Sequence, residues 1–192
     1  IMVKKFKKVN VELNEAYQKV LFWFFSFPNN EVGLNELSEA VSISKTTAKR
    51  IVKRLEEESF LKKEVLGKVW RIKCEPYHPY NYYKKVGYHL SMIYEASIVP
   101  EIYLLTGDPK AIILFGSYRK GDDNENSDID IAVEVLDDKG MRIVEFGVIP
   151  KFGYRNNVKV NLYIFSRNKI DLNLFSNIAN GIVLEGFLEV RP

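Results

Sequence analysis

Apolar residues recur at helical spacing over residues 13–26 (LNEAYQKVLFWFFS), and Phe27-Pro28-Asn29-Asn30 ends the pattern with turn-forming residues. A shorter helix is predicted from Leu34 to Val41, with Leu37, Ala40 and Val41 facing inward. Ser42-Ile43-Ser44 then supplies a turn and an N-cap, and a third helix runs from Lys45 to Ser59 with Ala48, Ile51, Val52 and Leu55 as its buried stripe. The period changes at Phe60: residues 60–65 and 69–73 alternate like strands around the turn Leu66-Gly67-Lys68. Pro76 and Pro79 disfavour regular structure, and helices are expected near Tyr82–Ser97 and Pro100–Leu105. Ala111–Phe115 is a continuous apolar run ending in Gly116-Ser117, the mark of a buried strand opening into a turn. Ser127–Val133 reads as another strand, whereas residues 137–156 carry only a weak helical pattern interrupted at Pro150.

These elements divide the chain into residues 10–73, a linker at 74–80, and residues 81–192, and the class is α+β. The 192 residues are 46% hydrophobic and 28% charged, enough to bury one sizeable core or two small ones. Net charge is +3, yet residues 1–73 carry 15 basic against 9 acidic side chains and residues 74–192 carry 13 against 16, so the two parts face different partners. Cys74 is the single cysteine, with His78 and His89 the only histidines, which excludes an internal disulfide and leaves too few soft ligands for structural zinc. Both histidines read as linker and helix-surface residues. No apolar run approaches the ~18 residues of a membrane span and the Lys-rich start is unlike a secretion signal, so no membrane role and a cytoplasmic location are expected. Phe22, Trp23, Phe24 and Phe25 are too many for one face of a small helix, and part of the run is expected to bury against the second domain or a second subunit, as in a homodimer.

Three helices followed by a basic hairpin resemble a winged helix-turn-helix domain. The resemblance implies DNA contact from the exposed face of the third helix, Lys45, Thr46, Thr47, Lys49, Arg50 and Lys53, and from Lys68 in the hairpin turn. Glu56-Glu57-Glu58 would repel phosphate, so only the first half of that helix is expected to approach a duplex.

The second part holds more specific chemistry. Asp128 and Asp130 lie two apart on a strand and therefore point to one face. Like charges so close repel unless a cation lies between them, and hard oxygen donors suit Mg²⁺ or Mn²⁺. Magnesium commonly accompanies a nucleoside triphosphate. The Gly116-Ser117 turn lets a phosphate approach the backbone, and Lys120 can neutralise a leaving pyrophosphate.

Gly116-Ser117, ten intervening residues and Asp128-x-Asp130 resemble the signature of the nucleotidyltransferase superfamily, with the gap of its minimal branch. Lys120, Gly121 and Ser127 stand where that branch has a basic residue, a glycine and a serine, while Arg119 replaces a small residue. The fold implied is an N-terminal winged helix-turn-helix plus a C-terminal nucleotidyltransferase-fold domain with a mixed β-sheet flanked by helices, closed by a strand at residues 181–186. The resemblance makes Asp128 and Asp130 catalytic metal ligands and Gly116, Ser117, Lys120 and Ser127 nucleotide-binding. It places a third metal-site residue on the strand Val158–Phe165. That residue is Asn161, a neutral amide in place of a carboxylate. Glu134 shares the aspartates' face but stands about 13 Å beyond Asp130 at ~3.3 Å per residue, too far to substitute. Two functions stay open: Mg²⁺-dependent transfer of a nucleotidyl group to an unknown acceptor, or a non-catalytic DNA-binding regulator whose degenerate transferase domain binds nucleotide or a partner. Some members of that branch act as antitoxins on HEPN-type partner proteins.

Overall fold

The computed structural model describes residues 15–137 and 139–190. Helix α1 (Ala16–Ser26) buries Val20, Leu21, Trp23, Phe24 and Phe25, and the start of the expected helix at 13–14 lies outside the described residues. A two-residue strand β1 (Glu31–Val32) precedes α2 (Leu34–Ala40) and α3 (Lys45–Glu57). Ser44 caps α3 by accepting a hydrogen bond from the Thr47 N–H at 3.1 Å, and Ala48, Ile51, Val52 and Leu55 form its buried face. Strands β2 (Leu61–Leu66) and β3 (Val69–Cys74) form a hairpin whose tip is Gly67-Lys68, and β1 adds to β3, giving an antiparallel order β1-β3-β2.

The stretch 74–80 is more ordered than a linker. Cys74 ends β3, the Glu75 N–H bonds the Phe60 carbonyl, and α4 (Tyr80–Glu95) begins directly after Pro79. Proline suits that place because the first turn of a helix has no use for its missing N–H. Helix α5 (Ile98–Thr106) starts two residues before Pro100, which sits in its first turn for the same reason.

Five strands then build a mixed sheet in the order β6-β7-β5-β4-β8. They are β4 (Ala111–Phe115), β5 (Ile129–Glu134), β6 (Arg142–Phe152), β7 (Arg155–Phe165) and β8 (Ile182–Gly186), with α6 (Gly116–Lys120) after β4 and α7 (Leu172–Ala179) before β8. Among the described residues, only β5 and β7 pair in parallel. The weak helix expected over 137–156 is a strand instead. Strand β6 lies at the sheet edge, where Pro150 forfeits no interior ladder bond, and an irregularity between Glu145 and Gly147 breaks the alternation by which a strand is recognised.

One sheet face joins Leu114, Ile131, Leu162 and Ile164 to a buried cluster that continues through Tyr88 and Ile93 of α4 to Phe24 and Phe25 of α1. The aromatic run of α1 divides accordingly. Phe24 and Phe25 meet Phe60, while Phe22 lies tilted against Tyr88 with centroids 4.2 Å apart. The other face packs Ala111, Ile113, Phe115, Ala132 and Phe165 under Ile178 of α7. Among the described residues no helix is long and apolar enough to cross a membrane.

Candidate nucleotide and metal site

Strand β4 is buried at all five positions, and its chain must turn abruptly to enter α6. Gly116 makes that turn at φ +71°, and a Cβ placed there would stand 2.9 Å from Asp130 Oδ2. Glycine is needed twice over, for the left-handed backbone and for the close approach of the carboxylate. Gly121 closes α6 at φ +80°, with the Asn81 carbonyl of α4 filling the space of a Cβ. Ser117 is half-buried beside Gly116, whereas Arg119 and Lys120 are exposed at the end of α6.

Across from Gly116, Phe115 pairs with Asp130 and Asp130 pairs with Asn161, so the turn, the aspartate and the amide occupy neighbouring strands on one face. The Asn161 Nδ2 donates to Asp130 Oδ1 at 3.3 Å and to Asp128 Oδ2 at 3.5 Å, which brings both carboxylates around a single amide. Burial raises the Asp130 pKa, the Asn161 bond opposes the rise, and the neighbouring Asp128 charge adds to it. Two carboxylates that repel each other are the donor set a hard divalent cation fits. Asn161 presents an N–H to them in this arrangement, so it would offer a metal its oxygen only after an amide flip. Among the described residues, no group of three or more His, Cys, Asp or Glu side chains is close enough to hold a metal together.

The loop 121–128 that carries Asp128 is held from behind by buried charge. Lys85 of α4, 1% exposed, donates to the Asp123 carbonyl at 2.6 Å and pairs with Asp123 Oδ1 at 3.0 Å. Arg155 of β7 donates to the Ser127 carbonyl at 2.7 Å and to the Tyr118 hydroxyl. His89, expected on a helix surface, is 2% exposed and donates Nδ1–H to the Tyr118 carbonyl at 3.1 Å. Burial pushes its pKa down to about 4, against the pull of Asp123 and with the push of Lys85, so the ring is neutral near pH 7. The sequence hid this cluster because Lys85 and His89 belong to a helix whose buried face also takes polar residues. The Ser127 hydroxyl accepts from the Asn124 N–H at 3.0 Å and thereby shapes the loop locally. Glu134, at the far end of β5, is bound by Arg167 at 3.0 Å.

On the N-terminal part, Lys45, Thr46, Lys49, Arg50 and Lys53 are exposed on α3, and Lys68 is exposed at the hairpin tip. The half-buried Thr47 shares its hydroxyl with Ser44 at 2.8 Å. Lys45, Lys49, Lys68 and Trp70 line a groove of about 280 Å³ between α3 and the hairpin, with Lys49 and Lys63 over the Trp70 ring at 5.7 and 4.7 Å. The acidic end of α3 is engaged elsewhere: Glu58 accepts from Tyr17, Tyr80 and Arg54, and Glu56 pairs with Lys63 at 2.6 Å.

No curated protein matches the chain. Residues 101–186, from α5 through β8, match the family model described as polymerase beta, nucleotidyltransferase. The match supports a nucleotidyltransferase-fold domain over this stretch and a function of the nucleotidyl-transfer kind.

Proposed function

We propose that the chain transfers a nucleotidyl group from a nucleoside triphosphate to a hydroxyl acceptor, with Mg²⁺ held by Asp128 and Asp130. The approach of Asp130 to the Gly116 turn, together with the Asn161 amide that joins Asp128 to Asp130, inside the stretch that matches the nucleotidyltransferase family, carries the reading. The cation would neutralise the triphosphate and polarise the α-phosphoryl group. Gly116, having no side chain, leaves room for phosphate oxygens beside Asp130, and Ser117 stands ready to donate a hydrogen bond to them. Lys120, exposed at the end of α6, offsets charge on the departing pyrophosphate. Lys85 and Arg155 keep the loop before Asp128 in place, so the carboxylate meets its ligand without reorganisation. Incubation with α-labelled ATP, GTP, CTP or UTP and Mg²⁺ should label an acceptor in a co-expressing extract, and Asp128→Ala should abolish the label. Labelling that survives Asp128→Ala would exclude this site.

The N-terminal part supports a second role. The succession of helix, short strand, two helices and basic hairpin is the one expected of a winged helix, and the groove lined by Lys45, Lys49 and Lys68 suits the phosphates of duplex DNA. A regulator that binds nucleotide without turning it over is favoured by one observation, the Asn161 amide that donates to both aspartates where a third carboxylate would share a cation with them. In that reading the domain senses nucleotide or docks a HEPN-type partner in the manner of an antitoxin. Nucleotide-dependent thermal stabilisation without turnover distinguishes it.

A further inference from the structure

We propose that Glu145 is the carboxylate that takes the acceptor's proton, a role that falls to it because Asn161 is an amide. The proposal rests on the transfer reading above. Strand register carries it. Glu145 pairs with Asn161, Asn161 with Asp130, and Asp130 with Phe115, so four side chains form one cross-strand row on the site's face. The row before it confirms the phase, because Val144, Leu162, Ile131 and Leu114 all turn to the opposite, buried face. Neighbouring strands lie ~4.8 Å apart, which places the Glu145 backbone about 10 Å from that of Asp130, with the Asn161 side chain between them.

Three features favour a proton acceptor over a third metal ligand. Glu145 does not join the aspartates in a group able to hold a metal. It is exposed on the edge strand, the side from which a macromolecular or small acceptor can arrive. Glutamate also reaches one methylene farther than aspartate, as a position one strand farther out requires.

In the step itself, the acceptor oxygen attacks the α-phosphorus and forms the new P–O bond. The bond to pyrophosphate breaks with its electron pair on the leaving oxygen, and the acceptor proton passes to the Glu145 carboxylate and on to solvent. Sequence reading could not find this residue, because residues 137–156 carry the pattern of a weak helix.

The test uses the full chain, α-³²P-labelled nucleoside triphosphates, Mg²⁺ and water as acceptor, with release of labelled monophosphate as the readout. Glu145→Gln should lower kcat at least ~100-fold while KM for the triphosphate stays within about threefold, the split expected of a group that acts after substrate is bound. Asn161→Asp should restore more activity to Glu145→Gln than it adds to the wild-type chain, since either carboxylate can then serve. Mg²⁺-nucleotide thermal stabilisation should be the same in Glu145→Gln and wild type. An unchanged kcat in Glu145→Gln overturns the proposal and leaves the transfer reading standing. A wild-type chain that is stabilised by nucleotide yet releases no monophosphate overturns it too, in favour of the sensor. Absence of nucleotide stabilisation overturns both this proposal and the transfer reading beneath it.

Discussion

Asn161 turns its side-chain NH2 toward two carboxylates, and this neutral amide is the residue on which the choice between transferase and sensor is to be tested. The residues around which this arrangement is built were legible in the sequence. Gly116 and Asp130 are set by local rules, a turn that needs positive φ and the alternation of a strand, and Asp128 stands directly before that strand. Lys85, His89 and Arg155 were not, because a buried ion network is defined by contacts between residues distant in sequence. His89 also fixes a pH dependence. Its folded pKa, about 4, lies below the ordinary value of 6.5, so between these pH values the unfolded chain binds more protons than the folded one. Its contribution to stability is complete above pH 6.5 and is lost as pH falls toward 4, by at most about 1.4 kcal/mol per pH unit. Denaturant melts at pH 7, 6 and 5 should show wild type losing stability faster than His89→Phe. Parallel losses would mean that the folded ring titrates like the unfolded one.

Elements were legible where their period was clean. Helix α3 and the hairpin β2–β3 fall within a few residues of their expected limits, because an apolar stripe and a two-residue alternation were uninterrupted. Strand β6 was missed because a bulge shifts its phase and a proline occupies it, features that an edge strand tolerates and an interior one does not. That loss mattered most for the site, since β6 brings Glu145 into the row. For α3 and the hairpin, the exposed cations give a measurable expectation. If about four of Lys45, Lys49, Arg50, Lys53 and Lys68 neutralise phosphates, duplex DNA affinity should fall roughly a hundredfold between about 50 and 200 mM salt. Lys49→Ala should reduce the slope by about one unit in anisotropy titrations. A slope near zero would assign the groove to another ligand.

At the scale of the whole molecule, the charge asymmetry of the sequence maps onto two surfaces joined by a continuous core. Phe22 of α1 packs against Tyr88 of α4, and α4 in turn places Lys85 against the loop that carries Asp128. A second contact, Asn29 to Glu125 at 3.3 Å, ties the turn after α1 to the same loop. The sequence offered two parts and a linker. It could not show that the intervening helix belongs to both, because helix periodicity reports which face is apolar and not what covers it. The central claim is that Asp128, Asp130 and the Gly116 turn form one site for a metal-bound nucleotide. Calorimetric titration of Mg²⁺-nucleoside triphosphate into wild type and Asp130→Asn tests it most directly. Saturable, Mg²⁺-dependent binding to wild type and its loss in Asp130→Asn is the expected result; equal binding to both chains, or none to wild type, would contradict it.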